Sequence, residues 1–490
     1  MRIGIDFGTS FSVPAALINN SAVTLLSGKY DNKYGMPSVF YYESGREVSI
    51  GFTADKNAVR RPENAVRNIK MEISNPDKKF FRLDGKTFNK KQIVGNIFRE
   101  IKQIALEGIE HKQLVSQKID GAVVSVPAAF TLRELNFIRD AAQDEAGLKV
   151  LGFVREPVAA AIAYFNAPGA EDEKTILVYD LGGGTCDVAI VRSDKNSSEW
   201  YKVLESDMQR IGGRDWDKLL GELIKRKCRE QDSYIRFSSR AEAKILKEAN
   251  EAKHYLSQEE IYDSYINIDG EDYDFRITRA EFEQITSELL QSTMRMVDKL
   301  KRKCSRKIDY IVCVGGSSNM PQVPKAFKKN YPDIELKIYE PEKAIAFGAA
   351  IYAEHLTEEN FLRDICKFSY GARYIQEYET YHDKKRLRIY NLIYKGDELP
   401  ASAEDSSYSI EDGQKSSYIA IYESECTDEI YLPEDGTHIG EIEIRGIENS
   451  KKNDETLLTI TIDRSGLMQL KAVDKRTGKS ADAQILLKGY

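Results

Sequence analysis

Ile3-Gly-Ile-Asp6-Phe-Gly8-Thr9-Ser10 lies at the start of the chain, and Ile176-Leu-Val-Tyr-Asp180-Leu-Gly-Gly-Gly184-Thr185-Cys-Asp187 lies further along. The two segments share one pattern: an apolar run ends in aspartate, small and hydroxyl-bearing residues follow, and a second apolar run begins. Short apolar runs bounded by turn residues indicate buried strands. The same strand–turn–strand unit is therefore predicted twice in the chain.

Both turns are suited to bind a chain of phosphate groups. Glycines let the backbone approach a phosphate and point several N–H groups at it, and hydroxyl side chains add donors. The candidate phosphate-binding residues are Gly8, Thr9 and Ser10 in the first turn and Gly182, Gly183, Gly184 and Thr185 in the second. One such turn alone is equally well explained by a tight hairpin, whereas two copies in one chain favour a nucleotide.

The aspartates of the two segments indicate a magnesium ion. Asp6, Asp180 and Asp187 would repel a phosphate directly, but they can hold a hydrated cation that offsets its charge. Mg²⁺ keeps several waters and prefers carboxylates together with substrate phosphates. The phosphate turns and the aspartates therefore predict a joint site.

A third segment, Ile311-Val-Cys-Val-Gly315-Gly316-Ser317-Ser318, again leads from an apolar run into paired glycines. A flat base or a ribose can lie against such bare backbone, although an ordinary strand-to-helix turn has the same pattern. Gly85-Lys86-Thr87 lacks the earlier glycine of a Walker A sequence, and no G-x-G-x-x-G opens a helix after the first strand. P-loop and Rossmann folds are therefore disfavoured.

Element patterns divide the 490 residues into two domains and a linker. Residues 1–357 alternate strand-like runs with long helical patterns, which indicates an α/β domain. One helix is expected to open at the capping box Thr278-Arg-Ala-Glu281 and to continue towards Cys304. Residues 358–368 are the candidate linker. Residues 369–490 have period-2 alternation and regular turn signals, which predicts a β-sandwich.

Charge and cysteine content narrow the function classes. The net charge of −7 and the pI near 5.6 leave no excess of basic surface, so nucleic acid is not expected as a partner. The basic run Lys299 to Lys307 is expected to lie on a solvated helix face. The six cysteines have neither CxxC nor zinc spacing, which indicates reduced thiols. Without a signal-peptide pattern or a long apolar segment, a cytoplasmic location with no membrane contact is expected.

The three glycine segments, with Glu156-Pro157-Val-Ala-Ala-Ala161 between the first two, resemble the ATPase of the seventy-kilodalton heat-shock chaperones. The resemblance continues into the β-rich region, where Leu399-Pro400-Ala401 and Ile462-Asp463-Arg464-Ser-Gly466 match turns of the family's substrate-binding domain. It implies an actin-like, ribonuclease H-like duplicated α/β ATPase domain followed by a β-sandwich. No helical lid is expected after Leu487, so bound peptide is expected to exchange quickly.

The resemblance also assigns roles to single residues. It implies that the chain binds ATP with Mg²⁺ and hydrolyses ATP slowly, by in-line attack of an oriented water, which depends on positioning and electrostatics. The implied catalytic residues are Lys70, Glu156, Asp180 and Thr185, and the implied magnesium site consists of Asp6 and Asp180 acting through water, with Glu156. The implied nucleotide-binding residues are Gly8, Thr9, Ser10, Gly182, Gly183, Gly184, Thr185, Asp187, Lys253, Ser257, Gly315, Gly316, Ser317 and Glu342.

Several positions depart from the family pattern. Asn250 replaces a glutamate and Asn319 replaces an arginine that stacks on adenine, so cation–π support for the base is absent. Leu135 replaces the arginine that partners the switch proline, Pro127, and Gly152 replaces an arginine that meets J-domain co-chaperones. Charges also interrupt the linker segment that is apolar in the family.

Three functions are compatible with this sequence. The first is an ATP-dependent chaperone that binds unfolded or extended polypeptides, with a J-domain co-chaperone and a nucleotide exchange factor as further partners. The second is a nucleotide-switched adaptor that binds one dedicated partner protein. The third, an actin-fold kinase for a small metabolite, leaves residues 369–490 without a role. Peptide selectivity distinguishes the first two functions.

Overall fold

The computed structural model describes residues 1–31, 34–75, 77–114, 118–197, 199–375, 387–463 and 468–484. The turn predicted at Arg464-Ser-Gly466 and the chain after Leu487 lie outside these ranges. The chain divides into two compact units, residues 1–128 with 137–361, and residues 129–136 with 362–490. Within the described ranges, no helix combines the length and the apolar character needed to cross a membrane.

The first unit contains both strands and helices. Its strands are β1 (Arg2–Phe7), β2 (Phe11–Ile18), β3 (Ser21–Thr24), β4 (Met36–Pro37), β5 (Phe40–Tyr41), β6 (Ser49–Ile50), β7 (Ala65–Val66), β8 (Phe80–Leu83), β9 (Lys86–Asn89), β10 (Gly121–Val126), β11 (Val150–Arg155), β12 (Thr175–Leu181), β13 (Cys186–Ser193), β14 (Tyr201–Gln209), β15 (Ile261–Ile268), β16 (Glu271–Thr278), β17 (Tyr310–Val314) and β18 (Glu335–Ile338).

The helices begin and end as follows. They are α1 (Phe52–Arg60), α2 (Ile69–Ile73), α3 (Lys90–His111), α4 (Leu132–Asp140), α5 (Glu156–Phe165), α6 (Gly213–Gln231), α7 (Ser239–Leu256), α8 (Arg279–Ile285), α9 (Ser287–Lys303), α10 (Gln322–Asn330) and α11 (Ala344–Glu354). The basic residues in the last turn of α9 are exposed, as expected for a solvated helix face, whereas Arg306 and Lys307 of the same predicted run lie after the end of the helix.

Two sheets of the first unit have the same strand order. In the first sheet β3, β2, β1, β10 and β11 lie side by side, and in the second the order is β14, β13, β12, β17 and β18. In the first sheet β2 is antiparallel to both β3 and β1, and β10 is parallel to both β1 and β11. In the second sheet β13 is likewise antiparallel to both β14 and β12, and β17 is parallel to both β12 and β18. The two sheets therefore match in both strand order and strand direction.

Helices α5 and α11 pack against each other, and each helix also contacts the sheet that does not contain the strand before it. α5 follows β11 of the first sheet and contacts β12 and β13 of the second, whereas α11 follows β18 and contacts β1 and β2. A Cβ atom at Gly348 of α11 would lie 1.7 Å from the carbonyl oxygen of Ala159 in α5. Glycine is therefore required for this close helix crossing.

The sequence predicts one continuous helix after residue 278, and this prediction is wrong in one respect. The helix is divided at Thr286 into α8 and α9. The capping box is present, since the Thr278 hydroxyl accepts from the Glu281 N–H. The Thr286 hydroxyl is buried, donates to the Phe282 carbonyl at 2.8 Å and accepts from Nε2 of Gln322 at 3.1 Å. This side-chain hydroxyl provides the carbonyl with a partner where the helical backbone stops.

The second unit consists mainly of strands. They are β19 (Leu362–Arg363), β20 (Ser369–Ile375), β21 (Leu387–Ile393), β22 (Ala401–Tyr408), β23 (Ser416–Ser424), β24 (Ile430–Tyr431), β25 (Thr437–Arg445), β26 (Glu455–Ile462), β27 (Met468–Asp474) and β28 (Ser480–Gln484). One antiparallel sheet has the order β24, β21, β20, β23, β25, and another has the order β22, β26, β27, β28.

The two β sheets enclose an apolar core. In β26 buried side chains alternate with partly exposed ones, and the buried set is Thr456, Leu458, Ile460 and Ile462. β25 lies against β27 and β28 of the other sheet. The period-2 pattern of the sequence thus corresponds to one buried face on each strand.

Residues of the candidate linker form regular contacts within each unit. In the first unit, the carbonyls of Asn360 and Phe361 accept hydrogen bonds from the N–H groups of Trp200 and Tyr201 at 2.8 and 3.1 Å, and Phe361 is buried. In the second unit, the Cys366 N–H donates to the Asp397 carbonyl at 2.7 Å.

Candidate functional site

A cleft of about 440 Å³ lies in the first unit and collects most of the predicted site residues. Those that line it are Asp6, Gly8, Thr9, Ser10, Lys70, Glu156, Asp180, Gly182, Gly183, Thr185, Lys253, Ser257, Gly315, Gly316, Ser317 and Glu342. Gly184 and Asp187 are buried beside this lining and do not form part of it. Residues separated by more than 300 positions in the chain thus share one cleft.

The two predicted phosphate turns lie against each other. A Cβ atom at Gly183 would lie 2.2 Å from Oγ of Ser10, and one at Gly184 would lie 2.8 Å from Oγ1 of Thr9. The first turn follows β1 and the second follows β12. Each turn thus lies at the end of the strand of its sheet that comes first in the chain. Glycine is needed here because side chains would separate the turns.

The third glycine segment lies directly behind Asp180. Gly315 has φ +79°, and a Cβ atom at this position would lie 2.4 Å from Oδ1 of Asp180. Both the left-handed backbone and the lack of space therefore require glycine. For Gly316, by contrast, an added Cβ atom would meet no atom within 4 Å. Gly316 presents open backbone on the cleft wall.

Three carboxylates form a compact buried cluster. One oxygen atom each from Glu156, Asp180 and Asp187 lies within 4.8 Å of the others. Asp180 and Asp187 are directly opposite each other on the antiparallel strands β12 and β13, and Glu156 is the first residue of α5. Asp6 lines the cleft beside them and accepts a hydrogen bond from Ser125 Oγ at 2.9 Å.

Burial changes the protonation of these carboxyl groups. Burial, together with the charge of Glu156, raises the pKa of Asp6 to about 7 and that of Asp187 to about 7. Burial also raises the pKa of Asp180 well above its usual range, with contributions from Glu156, Asp187 and Asp6. Lys70 acts in the opposite direction on all three. A cation placed among these groups would favour their ionised forms.

The cluster fits a divalent cation. Oδ1 of Asp180 and Oδ2 of Asp187 are buried and have no hydrogen-bond partner among the residues that the structure describes. Buried carboxylate oxygens of this kind need a compensating charge, and oxygen donors are the ligands that Mg²⁺ prefers. The magnesium site implied by the resemblance consists of Asp6, Asp180 and Glu156. In the structure, the compact cluster contains Asp187 together with Glu156 and Asp180, and Asp6 lies beside it.

Lys70 is held beside the carboxylates. It lies in α2, its side chain is 3% exposed, and its Nζ atom forms an ion pair with Oε1 of Glu156. Asn68 precedes α2 with φ +56°, a left-handed conformation that asparagine tolerates better than most residues. The lysine is therefore a buried part of the site.

The opposite part of the cleft is lined by α7 and the third glycine segment. Lys253 of α7 forms an ion pair with Oδ1 of Asp217 at 2.8 Å, and Nδ2 of Asn250 donates to Oδ2 of the same aspartate at 3.2 Å. The amide of Asn319 donates to Oε1 of Glu342 at 3.3 Å. Both asparagines that depart from the family pattern therefore line the cleft and bind neighbouring carboxylates.

The sequence patterns missed several cleft residues. Arg214, Asp217 and His254 line the cleft, and burial together with the charge of Lys253 lowers the pKa of His254. The Gly212-Gly213 pair, immediately before Arg214, was an available signal because it repeats the paired glycines of the other segments. A Cβ atom at Gly212 would lie 2.4 Å from the Gly184 nitrogen.

The other departures from the family pattern lie in regular elements. Gly152 is a buried residue of β11, and Leu135 is a buried residue of α4. Pro127 follows β10, and its carbonyl accepts a hydrogen bond from Nη1 of Arg155 at 3.3 Å. None of the six cysteines, which all lie in the described part of the chain, forms a disulfide bond.

The chain thus combines a mixed α/β unit, which has a glycine-lined and carboxylate-rich cleft, with a second unit that consists mainly of strands. A protein-family model described as Hsp70 protein matches residues 2–82 and 71–489. The chain therefore belongs to the Hsp70 family of heat-shock chaperones, and the predicted resemblance is confirmed. A ribosome-associated molecular chaperone of Eremothecium gossypii is 29% identical over 528 aligned residues, which cover 99% of this chain and 81% of the relative.

Proposed function

We propose that this Hsp70-family protein is an ATP-dependent chaperone. It binds and hydrolyses ATP with Mg²⁺ in the cleft of the first unit and binds unfolded or extended polypeptide segments in the second unit. The observation that carries the proposal is the meeting of two glycine–hydroxyl turns, a carboxylate cluster and Lys70 in one cleft. The matching order of the two sheets supports an actin-like, duplicated ATPase domain.

The phosphate chain is assigned to the two facing turns. Backbone N–H groups of the glycines and the hydroxyls of Thr9, Ser10 and Thr185 supply neutral donors, which bind phosphate oxygens without a large desolvation cost. The base and ribose are assigned to the other part of the cleft, beside Lys253, Ser257 and the open backbone of Gly316.

Glu156, Asp180 and Asp187 would hold magnesium, with Asp6 beside them. The chemistry supplied by the ion is neutralisation of phosphate charge and placement of water. The two unpartnered carboxylate oxygens and the raised pKa values of the aspartates support this assignment.

Lys70 and Glu156 act together on the water and the terminal phosphate. The buried ammonium group offsets negative charge that develops during phosphoryl transfer, and the glutamate holds the lysine in place through their ion pair. Because these groups are already enclosed by protein, little reorganisation accompanies the reaction.

The second unit supplies the polypeptide-binding site. In addition to the core between its sheets, it has a separate apolar cluster of Ile389, Ala420, Tyr422 and Tyr431. Along β23, Ala420 lies between Ile419 and Ile421, which belong to the core. Because successive side chains of a strand point to opposite faces, the five-stranded sheet has apolar side chains on both faces. All four side chains of this cluster are buried, so the assignment of an extended, strand-bound segment to this unit is supported by its sheets and by the family, not by an exposed apolar surface. The proposed partners are a J-domain co-chaperone and a nucleotide exchange factor, and the proposed location is the cytoplasm.

ATP binding and turnover by the purified chain test the first half of this function. Wild type should bind ATP and hydrolyse it slowly in Mg²⁺, and a chelator should stop hydrolysis. Lys70→Ala should retain binding and lose turnover, whereas Lys79→Ala, an exposed lysine outside the cleft, should behave as wild type. Absence of ATP binding by wild type, or full turnover by Lys70→Ala, would show that the assignment is wrong.

A further inference from the structure

Arg214 lines the cleft but lies outside the residues assigned to magnesium, the phosphate chain and the base. It is the second residue of α6, and its backbone N–H donates to the Gly183 carbonyl at 3.0 Å. The preceding N–H, of Gly213, donates to the Gly182 carbonyl at 2.9 Å. Two consecutive backbone hydrogen bonds thus fix Arg214 against the second phosphate turn, and its side chain lines the cleft.

The local electrostatics do not favour an arginine at this position. A cation in the first turn of a helix opposes the helix dipole, which favours acidic residues there. A second cation is close, because Nζ of Lys253 lies 3.1 Å from the position of a Cβ atom on Gly213. A residue that breaks local preferences without a structural gain is expected mainly at functional sites.

The neighbouring carboxylates have other partners. Oδ2 of Asp215 lies 3.8 Å from Nε of Arg214, within ion-pair distance but too far for a hydrogen bond, and accepts from the Gly212 N–H at 3.0 Å. Oδ1 of Asp215 accepts from Lys218 at 3.1 Å, and the Asp217 carboxylate is bound by Lys253. Nε of Arg214 is buried and has no hydrogen-bond partner within the described part of the chain.

We propose that the guanidinium group of Arg214 binds a phosphate ester carried directly by the ribose of the nucleotide. The proposal rests on the proposed nucleotide-binding function of the cleft. Arg214 lies between the second phosphate turn and Lys253, where the phosphate chain would join the ribose. A planar guanidinium group matches a phosphate through two parallel hydrogen bonds. Arginines near a ribose accommodate ribose phosphates in other nucleotide folds.

Of the phosphate esters with this chemistry, the proposal concerns the one on the 5′ oxygen and the one on the 3′ oxygen of the ribose. Calorimetric affinities for adenosine, 5′-AMP and 3′-AMP distinguish them when wild type is compared with Arg214→Ala. Arg226→Ala is the matched control, because Arg226 is exposed on the same helix and lies outside the cleft lining. Wild-type affinity for ATP is measured in parallel.

The expected result is that Arg214→Ala weakens binding of at least one monophosphate by about tenfold to a hundredfold and leaves adenosine binding unchanged. The monophosphate affected identifies the ester that Arg214 binds. Arg214→Lys should give an intermediate loss, since it keeps the charge without the planar geometry, and it serves as the test if Arg214→Ala does not fold. Equal effects on adenosine and on both monophosphates, or no effect, would overturn the proposal. Failure of wild type to bind ATP would instead overturn the proposed function.

Discussion

Lys70 and Glu156 form an ion pair in which both side chains are buried, with 3% and 7% of their surface exposed. Glu156 also belongs to the compact cluster with Asp180 and Asp187. The lysine therefore offsets part of the negative charge of this cluster. In the proposed mechanism the same ammonium group offsets charge that develops during hydrolysis, so one ion pair serves both the stability and the chemistry of the site.

Loss of the lysine alone should destabilise the ligand-free protein. Removal of one partner of a buried ion pair leaves an uncompensated charge and costs about 3 kcal/mol. Lys70→Met should therefore unfold at lower urea concentration than wild type when a chelator is present. Lys70→Met combined with Glu156→Gln should recover much of the loss, because neither charge then remains. If the two substitutions simply add their costs, the ion pair does not stabilise the fold.

The buried aspartates should make stability depend on pH. The pKa of Asp187 in the folded protein is about 7, above its ordinary value of 3.8, so the folded state holds the proton more tightly than the unfolded state. Stability from this group is present at low pH and is lost as the pH rises towards the folded pKa. Asp187→Asn, which cannot ionise and can still accept the Ala128 N–H, should therefore gain stability over wild type as the pH rises.

Urea unfolding of wild type and Asp187→Asn at about pH 5 and about pH 8, with a chelator present, measures this difference. The advantage of the variant should be larger at the higher pH. An advantage that is constant or that shrinks with pH would mean that the carboxyl group is not held in its neutral form. Asp263→Asn, at an exposed ion pair, is the control.

The open backbone at Gly316 should be needed for nucleotide binding and dispensable for folding. An added Cβ atom would meet no protein atom within 4 Å, so Gly316→Ala should change stability by less than about 0.5 kcal/mol. Because Gly316 lines the cleft, the same methyl group should weaken ATP binding, measured by calorimetry. Gly221→Ala in α6, outside the cleft lining, is the matched control. Unchanged ATP affinity in Gly316→Ala would place the base elsewhere.

Restoring an arginine at position 319 should strengthen adenine binding. Asn319 lines the cleft and binds Glu342, and an arginine there can keep that carboxylate as a partner while it stacks on the base. Cation–π stacking is worth about 0.5–2 kcal/mol, so Asn319→Arg should lower the dissociation constant for ADP by about twofold to thirtyfold. Competition with a fluorescent ADP analogue measures the change. Asn319→Gln should give no such gain, and a weaker affinity in Asn319→Arg would contradict the assignment of the base.

The sequence predicted the parts of the site that depend on local pattern. Asp6 ends an apolar run of the first sheet, and the glycines of the second turn and Gly315 follow apolar runs of the second sheet. The ends of the parallel neighbours β12 and β17 lie at the same edge of that sheet, which brings the second turn and Gly315 together. Lys70 and Glu156 have no local signal of this strength, and only the resemblance to the family indicated them.

The residues that were missed depend on tertiary placement. Arg214 and His254 lie on α6 and α7, and the side of a helix that faces a cleft is decided by how the helix packs. The division of the long helix at Thr286 has a similar origin, because its hydroxyl group binds Gln322, 36 positions away in the chain. Helical periodicity carries no information about partners at that separation.

We propose that ATP in the first unit controls polypeptide release from the second. The most direct test is the dissociation rate of a fluorescent, leucine-rich unfolded peptide from the full chain, first with ADP and then with ATP and Mg²⁺. ATP should accelerate release, and Lys70→Ala should retain this acceleration while it fails to hydrolyse ATP. Failure to bind any unfolded peptide, or a release rate that is the same with both nucleotides, would contradict the chaperone function and favour an adaptor with one dedicated partner.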